Sequence, residues 1–251
     1  MNMFVLDEQP QKAAEYHCNK HVVKMILEAG QMLCAAHWMS WLDKFGKTRS
    51  DFRLMRDVKE YLRITVPQDK QPPWGLTHVN HPCTIWTRQS SENYGWHVEL
   101  MRCLLREYNL RYEKIHKSTE VYYWLVKNSP VSFPMQGKTP FPICMKEEYK
   151  VDNDPIQSYR KYYIKDKVRL LNGSLVLKPL TGFYKEYLME MKHEDLSKLL
   201  EIRKSLVLQF ESFRDYKMNP NALMKEIDHV HFLGKIIVEI DEFLKSYVEF
   251  N

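Results

Sequence analysis

The sharpest alternation of polar and apolar positions in the chain runs over residues 13–37. On a period of about 3.6 residues, His17, His21, Lys24, Glu28 and Gln31 recur at spacings of four, three, four and three and fall on one face. Val22, Met25, Ala29 and Met32 flank that face on one side, and Val23, Ile26, Leu27 and Leu33 on the other. A solvated helix carries a broad polar face, whereas a narrow polar stripe walled by apolar residues points into a cavity or at a partner. The pattern predicts one helix over 13–37, running on through Trp38 and Trp41 to a break near Phe45-Gly46-Lys47. The plainer reading makes His17 and His21 satisfied core histidines and Lys24–Glu28 an ordinary four-apart surface pair. Imidazoles, a carboxylate and an amine on one stripe favour a site.

Residues 1–6 form a short apolar start, and residues 7–10 turn it into that helix. A more charged helix is expected over 51–64, with Leu54, Val58, Tyr61 and Leu62 on one face, followed by a loop over 66–75 marked by Pro67 and the QPPWG run. Pro82 then opens a helix of about thirty residues over 82–112, because proline suits the first turn and holds the residue before it extended. His78, Asn80 and His81 stand at its mouth, where free backbone N–H groups and the positive end of the dipole make an anion seat. A short helix is expected over 118–127, a proline-punctuated loop over 129–142, and a further helix over 156–165. Residues 168–177 alternate around Asn172-Gly173, a hairpin signal. Beyond residue 194 two apolar stripes at helical spacing predict an antiparallel helical hairpin. The expected organisation is a domain over 1–166 and an extension over 167–251.

Composition narrows the class. The 251 residues, 44% hydrophobic and 27% charged, have the profile of an ordinary soluble globular protein, and only eight glycines suit helices better than dinucleotide folds. No apolar run approaches the roughly eighteen residues of a membrane span, and no basic-then-apolar leader opens the chain, so an intracellular protein is expected. Five cysteines without a CxxC pair argue for reduced thiols. A net charge of +5 among many aromatics is compatible with a polyanionic partner.

Three chemistries suit the candidate residues. His17, Cys18 and His21, with His78, His81 and His116, form a pool of metal ligands, and His17 and His21 have the spacing of a zinc-binding helix. The HExxH pattern is absent, however, and a neighbouring lysine disfavours a cation. Cys18 beside imidazoles is a conceivable nucleophile, though buried helix cysteines are usually inert. An amine, from Lys20, Lys24 or the N-terminus, suits Schiff-base attack on a sugar carbon. No glycine-rich phosphate loop is present.

Three segments together resemble a known family. Met1-Asn2-x-Phe4, the run from His21 to Leu33, and Asn80-His81-Pro82 with Trp86, followed by Glu107-Tyr108 and Arg111, look like the phage-type pyrimidine-dimer DNA glycosylases of the endonuclease V type. The resemblance covers residues 1–112 and, more faintly, the aromatic-basic run 159–163. It implies a mostly helical DNA-binding protein whose N-terminal α-amine attacks C1′ of a damaged nucleotide, assisted by a glutamate, while arginines hold phosphates around a flipped base. The arginine positions fall on Lys20 and Lys24. The glutamate position holds His21, and Glu28 lies two turns further along the same face. Asn2 is too large for routine methionine removal, so the amine would be that of Met1, partly neutral at pH ~7 with a pKa near about 8.

The sequence thus predicts a mainly α protein acting as a DNA glycosylase with abasic-site lyase activity. Met1, His21 and Glu28 are the catalytic candidates. His17, Lys20, Lys24, His78, Asn80, His81, Arg88, His116 and Lys117 are the substrate contacts. The expected partner is duplex DNA carrying a damaged or modified pyrimidine, with no cofactor, metal or membrane, in host cytoplasm if the source is viral. Two alternatives stand beside it: a nucleic-acid or nucleotide-binding module without catalysis, and a metal-dependent nuclease using the His17/His21 and His78/His81 pairs. The oligomeric state is left open.

Overall fold

Seven α-helices stand among the described residues of the computed structural model: α1 (Pro10–Tyr16), α2 (Asn19–Lys44), α3 (Met55–Thr65), α4 (Pro82–Gln89), α5 (Ser91–Tyr112), α6 (Thr119–Lys127) and α7 (Pro155–Asp166). The structure describes residues 2–135 and 137–167, with isolated positions 204, 207, 208, 237, 238 and 241 beyond them. The chain divides into two compact units, Met1–Lys165 and Asp166–Asn251. The hairpin expected over 168–177 and the helical hairpin beyond residue 194 lie outside the described residues. Among the described residues the protein is mainly α, with an isolated bridge between Ser90 and Met135 and no helix long and apolar enough to cross a membrane.

The 26-residue α2 is the axis of the first unit and packs against α3, α4, α5 and α6. Its C-terminal half, through Ala35, Trp38, Met39, Trp41 and Leu42, closes a core with Val58 and Leu62 of α3 and with Val66, Leu76 and Val79 of the following loop. Gly30 lets that loop come close, because a Cβ there would sit 2.5 Å from the ring of Trp74. The Trp38 indole fixes the same place by donating to the Trp74 carbonyl at 2.8 Å.

The N-terminal half of α2 packs against the opening segment. Met3, Val5 and Leu6 are essentially inaccessible, each contributing ~2 kcal/mol by leaving water. Side chains from later helices hold this segment's backbone. Arg160 donates to the Leu6 carbonyl at 2.8 Å and pairs with Asp7 at 3.1 Å, and the Trp96 indole donates to the Glu8 carbonyl at 2.7 Å.

Two helices predicted as continuous are broken. The expected helix over 13–37 is interrupted at His17 and Cys18, whose ψ angles of 133° and 157° are extended. Arg111 takes over the carbonyls released at the end of α1, donating to Glu15 at 3.0 Å and His17 at 2.7 Å. The Cys18 N–H at the start of α2 donates to the Tyr163 hydroxyl at 2.7 Å. The expected helix over 82–112 breaks at Ser90, with φ −151° and ψ 161°, and the Ser90 hydroxyl caps α5 by accepting from the Asn93 N–H at 3.0 Å. The helix expected to begin at residue 51 begins at Met55, Arg49–Asp51 being a separate 3-10 turn capped by Thr48 and Asp51.

Candidate functional site

The site is built from the opening segment upward. The Asn2 amide donates to Glu28 Oε2 at 2.9 Å, and Lys24 Nζ lies 3.3 Å from Glu28 Oε1. Glu28 is 7% exposed, whereas most of the Lys24 side chain is in solvent. The carboxylate thus sits at the inner end of a channel of polarity that surfaces at an amine. Asn2 also faces the other way: its carboxamide donates to the Cys144 carbonyl at 2.9 Å, and its Oδ1 lies 3.9 Å from Cys83 Sγ. The same Oδ1 accepts from the amides of Met3 and Phe4, at 2.8 and 3.2 Å, which turns the chain sharply. Phe4 follows with φ +47°, a left-handed conformation that costs an aromatic residue energy and is retained where surrounding packing dictates it.

Phe4 stacks on His21, with ring centroids 4.5 Å apart and 24° between planes. His21 Nδ1 is 2.9 Å from the Tyr163 hydroxyl. The same hydroxyl accepts from the Cys18 N–H, so one side chain of α7 holds both the start of α2 and the His21 ring. His17 is wholly buried and belongs to the break rather than to α2. Its Nδ1 donates to the Ala13 carbonyl at 2.6 Å, and burial lowers its pKa to about 4, keeping it neutral. His17 therefore braces the site from within and is no surface contact for a nucleic acid. The break also removes the single helix face on which His17 and His21 were expected to stand four residues apart, and their ring centroids lie 6.5 Å apart.

A cluster that sequence spacing did not reveal lies on the far side of Asn2. Cys83, in the first turn of α4, and Cys144, on the half-buried stretch before α7, place their sulfurs 3.5 Å apart. One ring nitrogen of His81 and both sulfurs fall within 4.8 Å of one another. The hydrogen bond from Cys83 draws the Cys144 thiol down to about 7, while the same bond and burial push Cys83 up. Tyr159 fixes the stretch carrying Cys144, its hydroxyl donating to the Pro142 carbonyl at 2.8 Å and accepting from the Cys144 N–H at 3.4 Å. The preceding loop is pinned by Asn93 and Trp86 to Thr139. His81-Pro82-Cys83 at a helix entry was a signal available in the sequence; nothing local pointed to its pairing with Cys144.

His81 also lines a surface cavity of about 510 Å³, together with Arg49, Lys59, Leu76, His78 and Asn80. His78 and Asn80 are exposed, and His78 adopts φ +48°. The helix mouth predicted as an anion seat is thus joined by two cations, Arg49 and Lys59, that the sequence reading did not select. Arg88 is turned away from this work: its guanidinium donates to the Val79 carbonyl at 2.6 Å and fixes the loop. His116 caps the turn before α6, accepting from the Ser118 N–H at 3.1 Å, and packs edge-on against Tyr108. Lys20 and Lys117 are exposed. Met1 lies outside the described residues.

A scan against family models and searches of curated proteins and of solved structures find no match to this chain. What the fold and the site define is a helical protein with a buried carboxylate at its N-terminal segment, a histidine–dithiol cluster behind it, and a cationic cavity alongside.

Proposed function

We propose that the protein is a DNA glycosylase with abasic-site lyase activity that works through an amine beside Glu28. The observation that carries this reading is the Asn2 amide on the buried Glu28 carboxylate at 2.9 Å, with Met1 one peptide unit away along the chain. Lys24, 3.3 Å from the same carboxylate, is the second amine at this place.

In the proposed reaction the neutral amine attacks C1′ and the glycosidic C–N bond breaks, its electron pair leaving with the base, which takes up a proton. Glu28 accepts the amine's proton and returns it to the ring oxygen as the sugar opens to an iminium. Loss of a C2′ proton then expels the 3′ phosphate. His21, fixed by Phe4 and Tyr163, holds the shape of the carboxylate's surroundings. Lys20, with Arg49, Lys59, His78 and Asn80 around the cavity, supplies phosphate contacts, and binding falls steeply with salt.

The test is release of base and strand scission from duplexes carrying a thymine dimer, a modified pyrimidine or an abasic site. Glu28→Gln is expected to lower the rate by about 10²–10⁴-fold while binding persists. Scission by Glu28→Gln at the wild-type rate contradicts the reading.

A further inference from the structure

We infer that His81, Cys83 and Cys144 form a zinc site with three protein ligands and one open position. The inference stands apart from the amine chemistry and does not depend on it.

The donor set is the first argument. Two thiols and an imidazole are the combination that favours zinc over the hard cations magnesium and calcium, which take oxygen ligands. The three donor atoms lie within 4.8 Å of one another although Cys144 is sixty-one residues from Cys83. Tyr159 and Asn2 hold the Cys144 backbone from two sides, through its N–H and its carbonyl. This cluster is therefore constructed by long-range contacts and is no accident of neighbouring residues.

The sulfur separation is the second argument. Two thiolates bound to one tetrahedral zinc at about 2.3 Å stand about 3.8 Å apart, whereas a disulfide needs about 2.0 Å. The observed 3.5 Å is a few tenths of an ångström from the former and far from the latter. Position is the third. Cys83 lies in the first turn of α4 and its N–H donates to His81 Nδ1 at 3.2 Å, so two of the three donor residues are fixed side by side at one helix entry. Cys144 and His81 are only half-buried, which leaves solvent access for an exchangeable fourth ligand. Three protein ligands with an open position are the pattern of reactive rather than purely structural zinc.

Titration of the full chain, purified under reducing conditions and stripped of metal, with cobalt(II) and then zinc tests this directly. The expected result is one equivalent of cobalt with a thiolate-to-cobalt charge-transfer band and intense four-coordinate visible bands, both displaced by zinc. Cys83→Ser and Cys144→Ser each abolish the charge-transfer band or reduce it by about half, and Cys34→Ser leaves it intact. Where a serine variant does not fold, alkylation of the half-buried Cys144 in the wild-type chain gives the same answer: zinc protects it, and a chelator restores its reaction. A cobalt spectrum without the charge-transfer band, or equal alkylation of Cys144 with and without zinc, overturns the site.

Discussion

The junction between α1 and α2 and the junction between α4 and α5 each interrupt a helical run, and different contacts hold them. At the first, His17 bonds back to Ala13 and Ala14, but the released groups go to partners far along the chain: Arg111 takes the Glu15 and His17 carbonyls and Tyr163 takes the Cys18 N–H. At the second, the contacts are mostly local, Ser90 capping Asn93 and the Asn93 carboxamide donating to the Trp86 carbonyl at 2.8 Å. The first junction sets the face on which His21 and Glu28 meet the opening segment. The second ends the short helix that carries Cys83. A break made by distant side chains depends on the whole fold, whereas one made by a cap is written where it occurs.

Removing the distant partners should therefore do far more than removing the cap. Arg111→Leu has the largest expected effect, a loss of ~3–5 kcal/mol in denaturant unfolding, because the guanidinium also pairs at 2.7 Å with Glu107, a side chain only 5% exposed. Acid is the next lever. His17 at the first junction has its pKa lowered to about 4, and His97, beside α4 through Thr87, to about 3, burial being the cause in both. The unfolded chain binds protons near pH ~6.5 while the folded chain does not. Stability is thus complete above that pH and falls as the pH drops from there toward the folded values. The slope is on the order of 1.4 kcal/mol per pH unit for each histidine, readable in melts across that window.

Tyr163→Phe is a milder change at the first junction, since it deletes one hydroxyl that serves both the Cys18 N–H and His21. A cost of ~1–3 kcal/mol is expected by denaturant unfolding, with a shifted His21 ring resonance by NMR. Ser90→Ala, the test of the local junction, should cost only ~1 kcal/mol and leave the His21 resonance unmoved. An Arg111 variant no less stable than Ser90→Ala would break the contrast.

The same contrast explains what was legible in the sequence. Helices whose apolar stripes are decided within a few turns emerge near their predicted places: Thr119–Lys127 for 118–127 and Pro155–Asp166 for 156–165. The Ser90 break had a local signal, a serine three residues before Asn93, but the apolar stripe runs across it and masked the cap. The His17–Cys18 break had none, because its causes lie at residues 111 and 163. On the site side, the spacing of Lys24 and Glu28 placed them on one face, and they meet there as an ion pair. Cys83 and Cys144 carry no shared spacing, and tertiary contacts of Tyr159 and Asn2 bring them together. Asn2 itself stood out only in the opening Met1-Asn2-x-Phe4 motif and for its size at the head of the chain. Its role as the residue reaching both the Glu28 carboxylate and the dithiol follows from burial of the opening segment.

If an amine beside Glu28 attacks C1′, borohydride added to the protein on an abasic duplex traps the intermediate. Reduction of the iminium should leave a stable protein–DNA adduct, and peptide mapping should place it on the Met1 amine or on Lys24, with yield lost in Glu28→Gln. An adduct mapping to a distant lysine, or no adduct from a protein that binds the duplex, would contradict the account.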